Sequence, residues 1–198
     1  MRMLALLPIL LVTPAMAEEI RCEGAFAADS SEARLIETYG KDNVVTGDVP
    51  GPEGSTMLAT TVFPNDPERT FEVGWWDEEK LERLAYVTVP PDATLPNGLR
   101  VGTTIDEAEA LNGGPFELWG FFWDYGGGTN FADGKLAELP GGCYVSARFT
   151  VGDYPESLDV GPISGDVEIS SSEPLLDTVH ATIGNLTIGY PDPSAAED

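Results

Sequence analysis

The sequence is poor in the residues that carry most enzyme chemistry. A single histidine, His180, serves the whole chain, so a zinc or copper site built from several imidazoles cannot form. The patterns His-Glu-x-x-His, Gly-x-Ser-x-Gly and Gly-x-x-x-x-Gly-Lys are all missing. A Ser-His-Asp triad would have to use His180, which sits among Thr178, Ala181 and Ile183 and reads as a lone, partly buried histidine. Asp-x-Asp-x-Asp-Gly loops are also missing and the acids are dispersed, so no metal and no cofactor is assigned. Positive charge is scarce: 10 Lys and Arg face 34 Asp and Glu, a formal net charge of −24. Such a surface repels phosphate backbones, which excludes nucleic-acid binding and disfavours anionic lipid. It reads as a solubility device, or as an acidic surface shaped to meet a basic partner. High charge alone would suggest disorder, but 42% hydrophobic residues with spread aromatics point to a packed core.

Long apolar runs are lacking too. The apolar stretch at residues 4–12 is too short for a bilayer, which takes about 20 residues. Arg2 precedes it and Ala15-Met16-Ala17 follows, the layout of a secretory signal peptide cleaved after Ala17. No Cys follows that site directly, so a lipid anchor is not expected. The reading is therefore a periplasmic protein with no membrane span.

Cysteine is limited to Cys22 and Cys143. In an oxidising compartment an even pair usually closes, so a disulfide between them is expected; two buried thiols are the alternative. Cys143 is a poor nucleophile candidate because it lies inside a regular alternating strand, and no Cys-x-x-Cys is present.

What is present suggests α+β architecture: an antiparallel sheet with short helices packed on one face, built from two similar helix–meander halves. In the first half, residues 18–90, Asp29-Ser30-Ser31-Glu32 reads as a capping box with Asp29 as the cap, Leu35, Ile36 and Tyr39 share a helical face, and Gly40 ends the helix. Strands are predicted at 44–45, 57–63, 71–76 and 86–89, the middle two joined by the turn Pro64-Asn65-Asp66-Pro67. Residues 77–83 read as a solvated loop or a short helical turn. In the second half, residues 98–152, Thr104-Ile105-Asp106-Glu107 is again a capping box, with Ile105, Ala108 and Leu111 as the apolar face and Gly113-Gly114 as the stop. Strands are predicted at 116–123, 135–139 and 143–151. The last is the cleanest, with Cys143, Val145, Ala147, Phe149 and Val151 facing one way and Tyr144, Ser146, Arg148 and Thr150 the other. Residues 153–190 add strands at 167–170 and 186–190 that complete the sheet. Gly184-Asn185 reads as a hairpin turn, or 175–179 as a helical turn feeding one last strand. Residues 191–198 form a polar, frayed tail.

The run Gly98-Leu99-Arg100-Val101-Gly102-Thr103-Thr104-Ile105-Asp106-Glu107-Ala108-Glu109-Ala110-Leu111 resembles the helix entry of the superfamily that includes small outer-membrane assembly lipoproteins of SmpA/OmlA type and the β-lactamase-inhibitor proteins. Residues 32–40 resemble it more faintly. About 15 residues per half are covered. Residues 113–128 also resemble periplasmic proteins of proteobacteria. The resemblance implies tandem helix-plus-hairpin repeats and a role in binding proteins; it transfers no functional residue. Two features depart from it: the chain has no lipobox, and its hairpin connections are longer and richer in Gly.

One constellation stands out: Phe116, Trp119, Phe121, Phe122, Trp123 and Tyr125 are six aromatics in ten residues. Strand alternation would place Phe116, Leu118 and Phe122 on one face and Trp119, Phe121, Trp123 and Tyr125 on the other. The segment is either a central strand buried on both faces or a displayed aromatic platform for a partner protein, a peptide or a sugar ring. Trp75-Trp76 poses the same choice. The candidate binding residues are accordingly Trp76, Trp119, Phe121, Trp123 and Tyr125, with no catalytic residue. The functional expectation is a non-catalytic interaction domain of the cell envelope whose partner is an envelope protein or peptide; the oligomeric state is left open. The alternative is a carboxylate-based periplasmic hydrolase.

Overall fold

The structure, a computed structural model, describes residues 18–132 and 134–196. The expected signal peptide, residues 1–17, lies outside the described residues, as does the end of the tail. The fold is α+β, dominated by a seven-stranded antiparallel sheet with a few short helices. Helix α1 (Glu32–Tyr39) leads into a meander of β1 (Val44–Pro50), β2 (Thr56–Val62), β3 (Phe71–Asp77) and β4 (Glu82–Thr88). Helix α2 (Ile105–Asn112) is followed by β5 (Glu117–Trp119), β6 (Gly128–Thr129), β7 (Tyr144–Thr150), β8 (Glu168–Ser170), the single turn α3 (Leu175–Thr178) and β9 (Thr182–Gly189). The sheet order is β1-β2-β3-β4-β9-β7-β6, and β5 pairs with β8 in a separate two-stranded ribbon.

This layout does not confirm the duplication. The first helix precedes four sheet strands; the second precedes a strand outside the sheet. What the two helices share is their entry. Glu32 N–H donates to Leu81 O (2.9 Å) and Arg83 N–H to Ser30 O (2.9 Å), stitching the start of α1 to β4. Gly102 N–H donates to Ile183 O (2.7 Å) and Ile183 N–H to Thr103 O (2.9 Å), stitching the start of α2 to β9. A helix of about two turns does not persist alone, so each borrows order from a strand.

The caps differ. Thr104 and Glu107 form a complete capping box at α2, as expected. At α1 the cap is Ser31, whose hydroxyl accepts from Arg34 N–H (3.3 Å), and not Asp29. Backbone pairing with β4 holds residues 30 and 31 extended, so the helix starts two residues later than the side-chain pattern suggests. Asp29 instead takes the Arg34 guanidinium (2.8 Å). Leu35 is buried in α1, with Ile36 and Tyr39 packed against the core. In α2, Ile105 and Ala108 are buried but Leu111 is exposed; the buried residue of the last turn is Asn112, whose Oδ1 accepts Leu136 N–H (3.2 Å).

Along β7 the predicted alternation holds: Cys143, Val145, Ala147 and Phe149 are buried, while Tyr144, Arg148 and Thr150 are exposed. Registered neighbours on the same face, such as Val145 with Ile188 on β9 and Val87 on β4, carry one core across the sheet. The opposite face is open at Tyr144, Arg148 and Trp76. Three predicted elements fall elsewhere. Residues 167–170, expected to help complete the sheet, supply β8 of the separate ribbon. Residues 135–139 form turns with one bridge and no strand. Gly184-Asn185 is no hairpin: both lie inside β9, where the register with β7 shifts, while 175–179 supplies the helical turn. His180 is exposed, with a left-handed φ of 49°, where a partly buried ring was expected.

The Cys22–Cys143 disulfide forms, with Cα atoms 6.0 Å apart across a sequence separation of 121. The Tyr190 hydroxyl donates to Phe26 O (3.0 Å) and Cys22 O (3.3 Å), so the chain after β9 is tied to the same N-terminal segment. Replacing both cysteines by Ser is expected to lower unfolding free energy by about 4 kcal/mol, read from urea denaturation, with native circular dichroism retained. Tyr39 makes a further tie, and this one is pH-sensitive. Its hydroxyl donates to Glu18 (3.0 Å), and burial, reinforced by that carboxylate, pushes its ionisation well above the ordinary tyrosine range. The native state thus keeps a proton that the unfolded state loses. Stability from this group is intact below about pH 10 and declines as pH rises further. The urea midpoint should therefore fall between about pH 9 and about pH 11, and fall less in Tyr39→Phe.

Candidate functional site

The aromatic segment owes its geometry to two glycines. In the β5–β8 ribbon Leu118 and Ile169 pair inward, while Glu117, Trp119 and Glu168 are exposed, with Trp119 directly across from Glu168. At Gly120 the strand ends, because the backbone turns against its neighbours: an added Cβ would lie 2.7 Å from Gly165 O. Gly120 N–H donates to Val167 O (2.7 Å) and Phe121 N–H to Ile163 O (2.7 Å). The chain then loops back, and Gly127 N–H returns to Trp119 O (2.9 Å). Gly127 has φ +74°, and a Cβ there would meet Phe149 O at 2.1 Å, so only glycine fits.

This loop breaks the alternation on which the two-face expectation rests. Phe121 is buried, 4% exposed, and anchors the loop from below. Phe122, at a left-handed φ of 67°, is 54% exposed. Trp119 and Tyr125 stand at the surface, 43% and 49% exposed, and Trp123 is half-buried between them. The ring centroids of Trp119 and Trp123 lie 6.2 Å apart with planes at 83°, and those of Trp123 and Tyr125 5.3 Å apart at 63°. Trp123 Nε1 donates to Gly120 O (2.8 Å), which fixes the middle ring. Four of the six rings fall as one or the other expectation had them; the exchange of Phe121 with Phe122 is what the turn decides.

The three rings border an open groove of about 960 Å3 running from the β5–β8 ribbon to β7 and β9. Its floor and far wall include Thr129, Ser146, Arg148 and Asn185, none of which the sequence reading put in a site. Arg148 is an outward residue of β7, registered with Gly128 on one side and Asn185 on the other. Among the described residues its guanidinium makes no ion pair or hydrogen bond. The only signal for it in the sequence was its place on the polar side of an alternating strand. No protein-family model, curated protein or solved structure matches this chain. The site must therefore be read from its own chemistry.

Trp76 stands apart. Trp75 is buried and donates Nε1 to Thr60 (2.9 Å), while Trp76 is 38% exposed and donates Nε1 to Tyr190 O (3.1 Å). It lines a second hollow of about 640 Å3 with Met57 and Tyr86, and shares no lining residue with the groove. The Tyr86 ring lies over Gly74, where any Cβ would sit 2.1 Å from it. Among the described residues no three His, Cys, Asp or Glu side chains gather as a metal site requires, and no Asp or Glu is buried. Truncation separates anchor from surface. Phe121→Ala should cost about 3–5 kcal/mol in stability, and Trp119→Ala less than about 1 kcal/mol, measured by thermal or urea unfolding.

Proposed function

We propose that the protein is an exported, non-catalytic binding domain of the cell envelope, and that its ligand lies in the aromatic groove. One observation carries the reading: Trp119, Trp123 and Tyr125 are held at the surface by a loop whose backbone is hydrogen-bonded on both sides, above a groove with unspent polar groups. Pre-set aromatic rings lose little freedom on binding, which is why such residues dominate binding hot spots.

The Cys22–Cys143 disulfide is compatible with an oxidising compartment, and no described helix is long and apolar enough to cross a membrane. The disulfide fits export, in line with the leader read at residues 1–17. The hydrolase alternative has less support. A general-acid carboxyl keeps its proton near neutral pH when water is shut out, and the described carboxylates are not buried.

The test is photo-crosslinking in the native envelope with a benzophenone amino acid at residue 119 and, separately, at residue 76. The expected result is adducts from 119 in excess over 76. Equal, non-saturable labelling from both positions would sink the groove as the binding site.

A further inference from the structure

Resting on that reading, we infer that the groove takes an uncharged oligosaccharide chain. Its ligand class follows from three features of the lining.

The first is shape. The groove shares Tyr125, Arg148 and Asn185 with a neighbouring hollow of about 550 Å3 bordered by Pro50 and Glu53. The two form one open trough across the sheet end. A small metabolite is usually held in a closed pocket that buries most of its surface; an open trough suits a chain of units. Rings tilted against each other, Trp119 to Trp123 at 83° and Trp123 to Tyr125 at 63°, offer separate faces to successive units. The C–H faces of sugar rings are apolar enough to stack on them.

The second is the mixture of unspent donors and acceptors. Arg148 is unpaired among the described residues, and the Glu117 and Glu168 side chains stand exposed beside Trp119. Asn185 spends its Oδ1 on the Thr187 hydroxyl (3.0 Å), which leaves its amide nitrogen to donate. A sugar hydroxyl both donates and accepts, so one ligand satisfies carboxylate, amide and guanidinium alike. Charge argues against an anionic chain: among the described residues lining the trough, Arg148 is the one cation beside Glu117, Glu168 and Glu53, in a chain of net charge −24, so a polyanion is repelled.

The third is that, among the described residues, no free strand edge lies beside the rings. β5 pairs with β8 on one side, and on the other its Glu117 O accepts the Thr129 hydroxyl (2.8 Å) and its Trp119 O accepts Gly127 N–H (2.9 Å). An extended peptide adding as a strand would have no ladder to join there. That favours the sugar over the peptide.

The experiment uses the purified protein with 15N-labelled backbone and indole groups. It is titrated with four neutral hexasaccharides: β-1,4-linked N-acetylglucosamine, β-1,4-linked glucose, β-1,3-linked glucose and α-1,4-linked glucose. Two peptide probes, decaproline and a pooled random decapeptide set, run in parallel. The expected result is saturable shifts of the Trp119 and Trp123 indole signals with at least one hexasaccharide, little changed by salt. Trp119→Ala should weaken that binding about tenfold or more, Trp119→Phe less, and Trp76→Ala not at all. Circular dichroism of each variant confirms the fold. Binding that survives Trp119→Ala unchanged overturns the inference. Shifts of the same signals by a peptide probe and by no sugar overturn the sugar class and leave the binding reading standing. Silence toward every probe, together with no adduct from residue 119 in the envelope, overturns both.

Discussion

The fold depends on one strand finding two partners. β9 is hydrogen-bonded to β4 on one side and to β7 on the other, and it alone joins the meander of the first part of the chain to the strands of the second. Its inward residues Ile183, Leu186 and Ile188 are all fully or almost fully buried. It comes late in the sequence, so its pairing with β4 closes a loop of nearly the whole second part of the chain. Closing long loops is entropically costly and makes such sheets slow to form. The Cys22–Cys143 bridge and the Tyr190 hydroxyl, bonded to Cys22 O and Phe26 O, tie the same two regions together at the edge of the core.

The groove is a by-product of that arrangement. β9 and β7 pair within the sheet, whereas β5 lies outside it and pairs with β8. The chain must then travel from the ribbon back to the sheet edge at β6, and it does so through the loop between Gly120 and Gly127. Trp119 ends the strand before that loop, and Trp123 and Tyr125 lie on it. Phe121 goes into the core and holds it down, and Trp119, Trp123 and Tyr125 are left lining the groove with Arg148 and Asn185. The site therefore sits on a rigid junction of two sheets, and no hinge is required to assemble it.

The acidity of the chain gains a meaning from this geometry. Most of the 34 carboxylates are solvated and scattered, as solubility requires. Those beside the groove act differently. Glu117 and Glu168 line the same groove as the unpaired Arg148 guanidinium, so acceptors and a donor share one surface while the overall field discourages anions.

From the sequence alone, the α+β class, the four-strand meander, both helices and the alternation of β7 could be drawn, because each rests on local periodicity, capping or turn chemistry. The Thr104 capping box needs only four consecutive residues. The pairing of Cys22 with Cys143 was an expectation from compartment and count. What only the tertiary structure decided is everything that depends on which distant segments meet. Ser31 rather than Asp29 caps α1 because β4 holds the preceding backbone extended. Gly184-Asn185 continues a strand rather than turning because β7 pairs with β9 on both sides of it. Phe121 is core and Phe122 surface because a glycine turn forced by Gly165 and Phe149 interrupts the period of two. Arg148 and Asn185 face three rings that lie more than twenty residues away in sequence, and local patterns of polarity carry no record of a neighbour reached through the fold.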